Sequence, residues 1–241
     1  FMTHPDLTSN LINTGYDFIS DPANAGDGNG IDNNPDDPGD ATVLGQSSWH
    51  GTHVAGTIAA ASNNNIGVAG VSWSSKIMPL RVLGKNGGSD YDIGQAVLYA
   101  AGLPNDSGGV PAQKADIINL SLGGAGASAA TQDIYTRARN AGVIIIAAAG
   151  NSNSSDLFYP ASYDGVVSVS AVDMNKLKAP YSNFGTKVDV AAPGGNVSVD
   201  LNNDGVPDGV VSTLVDDSSG TRVATLKEYH GTSMASPHVA G

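Results

Sequence analysis

Three short segments carry side chains that together could attack an acyl group. Ser233 follows a Gly-Thr turn and leads into an apolar stretch suited to a helix. A serine there either caps the helix or acts as a nucleophile beside free helix N–H groups. His50 begins a second predicted helix, which is rich in small residues, and could be the base that accepts the proton of Ser233. A lone histidine is, however, more often structural. Asn151 ends an apolar run and could bind an oxyanion with its carboxamide or start a turn.

The segments between these residues predict the elements that must position them. Apolar runs of strand length alternate with segments of helical period. Because the strand runs are apolar on both faces and helices separate them, we expect an α/β fold with a parallel sheet covered on two sides. Chemistry is then expected just after the strands, at their carboxyl ends. The predicted strands are Lys76 to Leu83, Asp116 to Leu122, Val143 to Ala149, Val166 to Val172 and Val188 to Ala192, and the helices are Asp90 to Leu103 and Thr131 to Ala141.

Composition narrows the classes of partner. The 241 residues include 11 Lys and Arg against 23 acidic residues, a net charge of −12. Such a charge repels nucleic acid and anionic lipid and favours divalent cations, so we expect neither a nucleic-acid nor a membrane partner. Only Glu228 among the acidic residues is not aspartate, which disfavours a long helical bundle. The absence of cysteine excludes disulfides and thiolate metal sites.

Two acidic loops have oxygen ligands at spacings that suit calcium. In the first, acidic or amide side chains stand at the first, third, fifth and ninth positions and Gly205 at the sixth, a spacing similar to an EF-hand loop. It lacks the usual glutamate at the twelfth position, where Val211 stands, and the alternative is a solvated acidic turn. The second loop can be interpreted equally well as a calcium site or as a hydrated surface loop. The candidate ligands are Asp200, Asn202, Asp204 and Asp208 in the first loop, and Asp27, Asn29 and Asp32 in the second.

Taken together, three motifs closely resemble the subtilisin-like serine peptidases, or subtilases. They read HGTHVAGT at 50–57, AAAGN at 147–151 and GTSMASPHVAG at 231–241. The resemblance implies a three-layer α/β sandwich with a mostly parallel central sheet. It also implies that Ser233 is the nucleophile, His50 the general base and Asn151 the oxyanion donor. His53 is then a packing residue.

The family's third catalytic residue has no match at its expected place in this sequence. In subtilases an aspartate stands in an Asp-(Ser/Thr)-Gly turn shortly before a His-Pro-Asp-Leu stretch, and here that stretch occupies residues 4–7. We therefore expect the aspartate upstream of Phe1. Residues 1–241 are interpreted as a single catalytic domain truncated at both ends, and the fragment by itself is expected to have little activity.

The resemblance also implies binding residues. One set of segments pairs through its backbone with an extended substrate, another lines a wall of the primary specificity pocket, and Phe158-Tyr159-Pro160 closes the far end of that pocket. A calcium loop joins Asp6 to the segment from Ser62 to Val68. The substrate-binding residues are Gly87, Gly88, Ser121, Leu122, Gly123, Ala148 and Gly150, and the calcium ligands are Asp6, Asn64 and the carbonyl groups of Ser62, Ile66 and Val68.

These observations predict a secreted, extracellular serine endopeptidase of broad specificity, stabilised by one to three Ca²⁺ ions. Its partners are expected to be polypeptide substrates and its own propeptide, and the protein is expected to be a monomer. The alternative is a catalytically silent, calcium-binding subtilase-like domain, which is supported only by the missing aspartate.

Overall fold

A computed structural model describes all 241 residues. The chain forms eight strands and five helices. The strands are β1 (Tyr16–Asp17), β2 (Leu80–Arg81), β3 (Ile117–Leu120), β4 (Ile144–Ala148), β5 (Val167–Val172), β6 (Val190–Pro193), β7 (Val210–Asp216) and β8 (Val223–Tyr229). The helices are α1 (Pro22–Ala25), α2 (His50–Ala59), α3 (Asp90–Ala100), α4 (Ala129–Asn140) and α5 (Thr232–Ala240).

The core is built around a four-stranded parallel sheet in the order β3-β4-β5-β6. Successive residues of a strand point to opposite faces, and here both faces are buried. On β4, Ile145 packs with residues of α3 and α4, whereas the next residue, Ile146, packs with Ala235 of α5. The sheet therefore lies between two helical layers, which confirms the predicted three-layer α/β fold.

Smaller elements flank this core. Strands β1 and β2 form a separate parallel pair, and β7 and β8 form an antiparallel hairpin that packs against α2. The other four predicted strands and both predicted helices occur, with ends shifted by up to three residues. The long strand predicted over Lys76 to Leu83 is wrong in extent, because its partner segment pairs only at Leu11 and again at Tyr16–Asp17. None of the helices has the length and apolar character needed to cross a bilayer.

Candidate active site

Helices α2 and α5 pack together and run in the same direction. The hydroxyl of Tyr229, just before α5, donates to the carbonyl of Ser48, just before α2, at 2.8 Å. At the opposite ends, a methyl group built on Gly241 would lie 3.1 Å from the carbonyl oxygen of Ile58. The amino termini of the two helices are therefore neighbours, and these first turns carry the base and the nucleophile predicted from the sequence.

His50 is the first residue of α2 and is held by the residue before it. Trp49 is fully buried, packs with Leu214 and Val215, and adopts a left-handed conformation with φ of 47°. That conformation costs an L-residue about 1–2 kcal/mol, which the packing of the indole ring offsets. Burial lowers the pKa of His50, and the negative charge of Asp40 partly opposes this shift. The neutral imidazole, which accepts a proton, is therefore favoured.

Ser233 is the second residue of α5. Its backbone N–H has no acceptor within the protein, as expected in the first turn of a helix. Its hydroxyl donates to the carbonyl of Ser121 at 3.3 Å, and the Ser121 hydroxyl donates to the carbonyl of Ser233 at 2.7 Å. No hydrogen bond joins Ser233 to His50 here. Catalytic hydrogen bonds are often long before substrate binds, so the placement agrees with the predicted pair.

The carboxamide of Asn151 is oriented by the residue before the nucleophile. Its Oδ1 atom accepts hydrogen bonds from the N–H and the hydroxyl of Thr232, at 2.8 and 2.9 Å. A methyl group built on Gly231 would lie 3.6 Å from both Asn151 Nδ2 and the backbone nitrogen of Ser233. Two N–H donors without protein acceptors thus border the same small space, which is the arrangement that stabilises an oxyanion.

Gly231 itself is held by a residue that the sequence analysis did not identify. The hydroxyl of Tyr181 accepts a hydrogen bond from the N–H of Gly231 at 3.0 Å and lies 2.7 Å from the carbonyl oxygen of Gly195. Burial raises the pKa of Tyr181 to about 12, so the phenol stays protonated and donates to that carbonyl. No motif contains Tyr181, and only the folded chain brings it to this turn.

His53 faces the β7–β8 hairpin. Its side chain is fully buried, stacks on Tyr229 and has Nε2 3.0 Å from the carbonyl oxygens of both Val210 and Lys227. Burial lowers its pKa to about 4. The imidazole therefore ties α2 to both strands of the β7–β8 hairpin.

Five of the predicted substrate-binding residues converge on α5. Ser121, Leu122 and Gly123 follow β3, whereas Ala148 and Gly150 lie at the end of β4, the neighbouring strand. Ser121 contacts Ser233, and the N–H of Gly150 donates to the Thr232 hydroxyl at 3.2 Å.

The other two predicted substrate-binding residues occupy a separate turn. Gly87 and Gly88 are exposed and lie between β2 and α3. The carbonyl oxygen of Gly87 accepts a hydrogen bond from the side chain of Asn24 at 3.0 Å.

Asp6 and the segment predicted to form a calcium loop are brought together. The carboxylate of Asp6 is buried and accepts hydrogen bonds from Asn64 Nδ2 at 2.7 Å and from the N–H of Val68 at 2.8 Å. A methyl group on Gly67 would overlap this carboxylate, so the loop closes directly over it. Asn64 Oδ1 accepts from the N–H of Ile66 at 3.2 Å, and the loop borders a cavity of about 300 Å³.

The carboxylates of the Asp200 loop mostly bind their own backbone. Asp200 accepts from the N–H groups of Asp204 and Gly205, and Asp204 accepts from the side chain of Asn202 at 2.8 Å. Asp208 is buried and accepts from the N–H of Leu201 at 2.6 Å. These bonds curl the loop tightly.

In the acidic loop from Asp27 to Asp32, a guanidinium group provides the positive charge. Arg81 is buried, forms an ion pair with the fully buried Asp17, and lies 3.5 Å from Asp27 and 3.7 Å from Asp37. Asn29 and Asp32 hydrogen-bond to each other at the exposed surface. Because Arg81 already faces Asp27, this loop has less need of a metal ion than the sequence pattern indicated.

Nowhere in the chain do three or more histidine or acidic side chains lie close enough to hold a metal ion. A calcium ion would therefore have to draw ligands from amide and carbonyl oxygens as well as carboxylates. The loop around Asp6 fits this condition best, because it combines a buried carboxylate, an asparagine and a cavity.

The parallel sheet between helical layers, with Ser233 and His50 on adjacent helix amino termini, defines a subtilisin-like α/β protein. Residues 2–241 match the profile of the Subtilase family, and the chain belongs to that family.

The chain is also similar to proteins that are named as proteases. The chain is 44% identical over 253 residues to an extracellular protease of Xanthomonas campestris pv. campestris, covering 99% of this chain and 41% of that protein. It is 41% identical over 257 residues to an extracellular basic protease of Dichelobacter nodosus, covering 100% of this chain and 40% of that protein. The chain thus spans about two fifths of the length of these relatives. A structure of proteases from Pseudoalteromonas arctica PAMC 21717 superposes with a TM-score of 0.90 at 44% identity, covering 99% of this chain and 72% of that one.

Proposed function

We propose that the protein containing this chain is a secreted serine endopeptidase that hydrolyses polypeptides through an acyl-enzyme at Ser233. The observation that carries the proposal is the space bordered by Asn151 Nδ2 and the N–H of Ser233, beside the serine hydroxyl. Family membership and relatives named as proteases support it. The names of two relatives as extracellular support secretion.

The proposed reaction follows from the roles of three side chains. The Ser233 oxygen attacks the peptide carbonyl carbon while the neutral His50 imidazole accepts the hydroxyl proton. Negative charge forms on the carbonyl oxygen, and Asn151 Nδ2 and the Ser233 N–H donate hydrogen bonds to it. The protonated imidazole then gives its proton to the leaving amine, and water hydrolyses the ester in the same way. Ser121 to Gly123 pair with the extended substrate backbone, whose recognition is tolerant of sequence.

Calcium belongs to this proposal as a stabilising ion. Asp6, Asn64 and the carbonyl groups of Ser62, Ile66 and Val68 would hold it. The buried carboxylate of Asp6, which bonds to a loop that borders a cavity, supports the assignment. When bound, Ca²⁺ supplies a charge that holds the loop over residue 6 and takes no part in the chemical step. The loop from Asp200 to Asp208 is a second candidate.

The decisive experiment uses the full-length protein, because no Asp-(Ser/Thr)-Gly turn stands before the His-Pro-Asp-Leu stretch at residues 4–7, where the subtilase pattern places it, and the Asp-Ser-Gly at residues 106–108 lies far after that stretch. We expect a phosphonylating reagent to add its mass to Ser233 and to abolish peptide hydrolysis. Ser233→Ala should remove both labelling and hydrolysis while the melting temperature stays within a few degrees. Covalent label on another residue, or full activity in Ser233→Ala, would refute the assignment. A protein that folds and binds calcium but neither reacts nor hydrolyses would instead be a silent subtilase-like domain.

A further inference from the structure

The space beside the nucleophile that must receive a substrate side chain lies between two chain segments. One is the segment Ser121–Gly124, which follows β3, and the other is Ala148–Asn151, at the end of β4. Both contact the first turn of α5, through Ser121 and through Asn151. If the proposed function holds, the scissile carbonyl sits at this turn, and the side chain on its acyl side enters between the two segments.

An aromatic ring of the protein already lies in that space. A methyl group built on Gly123 would lie 2.5 Å from Phe158 Cε1, and one built on Gly150 would lie 3.0 Å from Phe158 Cγ. The same ring therefore lies close to the backbone of both segments, together with the Tyr159 carbonyl oxygen at Gly123 and Asn183 Nδ2 at Gly150, each of which lies nearer to the built methyl group than the ring does. Phe158 is half-buried.

The backbone carrying the ring is anchored to the first segment. The N–H of Gly124 donates to the carbonyl of Tyr159 at 2.8 Å, and the N–H of Tyr159 donates to the carbonyl of Gly124 at 2.8 Å. The N–H of Phe158 also donates to the hydroxyl of Ser162 at 3.1 Å. The ring therefore cannot leave the space by a shift of a loose loop.

The second segment is anchored equally firmly. Asn183 Nδ2 donates to the carbonyl of Ala149 at 2.9 Å, and the N–H of Asn183 donates to the carbonyl of Gly150 at 2.9 Å. Asn183 Oδ1 accepts from the N–H groups of Ser152 and Ser154. Widening the gap to admit a second large group would break several of these bonds.

We propose that Phe158 fills the inner part of the primary specificity pocket, so that the enzyme cleaves after small residues such as alanine and rejects aromatic and large aliphatic ones. Backbone pairing still makes the enzyme tolerant at other substrate positions. The restriction applies to the single side chain that enters between Gly123 and Gly150.

The test compares peptide p-nitroanilides that differ only in the residue before the scissile bond, which is alanine, leucine or phenylalanine. For the full-length wild-type protein we expect kcat/KM to be at least tenfold higher with alanine than with phenylalanine. Phe158→Ala should raise the ratio of kcat/KM for the phenylalanine substrate to that for the alanine substrate at least tenfold. Phe158→Leu, which keeps an apolar side chain, should fall between these two.

Leu157→Ala is the matched control, because the neighbouring Leu157 is exposed and its loss should leave the ratio of the two substrates unchanged. Wild-type preference for phenylalanine, or a ratio that neither Phe158 variant changes, would overturn the inference and leave the proposed function intact. Failure to hydrolyse every substrate, with no labelling of Ser233, would overturn both. The wild-type measurement decides the question even if a Phe158 variant does not fold.

Discussion

Replacing Asn151 tests the oxyanion site directly, because its carboxamide has two separable roles. Nδ2 borders the proposed oxyanion space, whereas Oδ1 accepts from the N–H of Thr232. The residue at the amino-terminal cap of α5 is Gly231, which offers no side-chain acceptor, so Asn151 caps this helix from another part of the chain. One substitution can remove both roles, and another can remove only the first.

Asn151→Ala removes the donor and the cap. Loss of one oxyanion donor costs about 10²–10³ in kcat, a range taken from subtilisin, a member of this family. KM should change little, because the bond forms mainly in the transition state. Loss of the cap costs about 1 kcal/mol, which for a domain of this size lowers Tm by about 2–4 °C.

Asn151→Asp keeps the acceptor and removes the donor. A carboxylate beside a helix amino terminus is favourable by about 0.3–1 kcal/mol, so Tm should be at or above that of Asn151→Ala. The same charge repels the oxyanion, so kcat should fall at least as far. Steady-state kinetics and calorimetry on both variants, with exposed Asn175→Ala as control, separate the effects. If Asn151→Asp kept kcat within tenfold of wild type, the assignment of Nδ2 as an oxyanion donor would be wrong.

Three further predictions concern charge and metal. Asp40→Asn should move the acid limb of the pH profile of kcat/KM to lower pH. The Asp40 carboxylate raises the pKa of His50, and His50 must be neutral to act as a base. An acid limb at the same pH in the variant would refute this prediction. Excess chelator should lower the Tm of the full-length protein, since an ion at one hundred times its Kd adds about 2.7 kcal/mol to the free energy of unfolding. Asp6→Ala should reduce this chelator-induced fall in Tm more than Asp204→Ala does. An equal chelator response in wild type and Asp6→Ala would exclude the loop around residue 6. Arg81→Ala should lower the free energy of unfolding by about 3–5 kcal/mol, because it leaves Asp17 buried without a counter-charge. A decrease of less than about 1 kcal/mol in a denaturant titration would contradict this prediction.

The parts of the fold that the sequence predicted well are those with strong local patterns. The run around Ile145 and Ile146 is apolar at every position because each face of β4 meets a different helical layer. The β7–β8 hairpin was missed, although Val210–Asp216 and Val223–Tyr229 are separated by the turn-forming run Asp-Ser-Ser-Gly-Thr-Arg. Its strands mix threonine, serine and charged residues, so the alternation is weak.

Contacts between distant parts of the chain could not be predicted from such patterns. The closeness of Asp27, Asn29 and Asp32 in the sequence predicts a shared metal site, yet the charge partner of Asp27 is Arg81, 54 residues away. Tyr181 reaches Gly231 across a separation of 50 residues, and no local feature marks it. Partners of this kind are set by the order of the strands and not by spacing along the chain.

The predicted specificity pocket shows how far a motif can lead. The motif ending at Asn151 and the Ser-Leu-Gly-Gly segment identify two walls, and their glycines indicate that something must approach the backbone closely. From the sequence alone, that group is equally a substrate side chain or a side chain of the protein. In the folded chain the protein's own atoms approach both glycines: Phe158 lies close to each, together with the Tyr159 carbonyl oxygen at Gly123 and Asn183 Nδ2 at Gly150. Because the same ring lies close to both walls, we expect that a substrate side chain receives only the space that the ring leaves, if the proposed function holds.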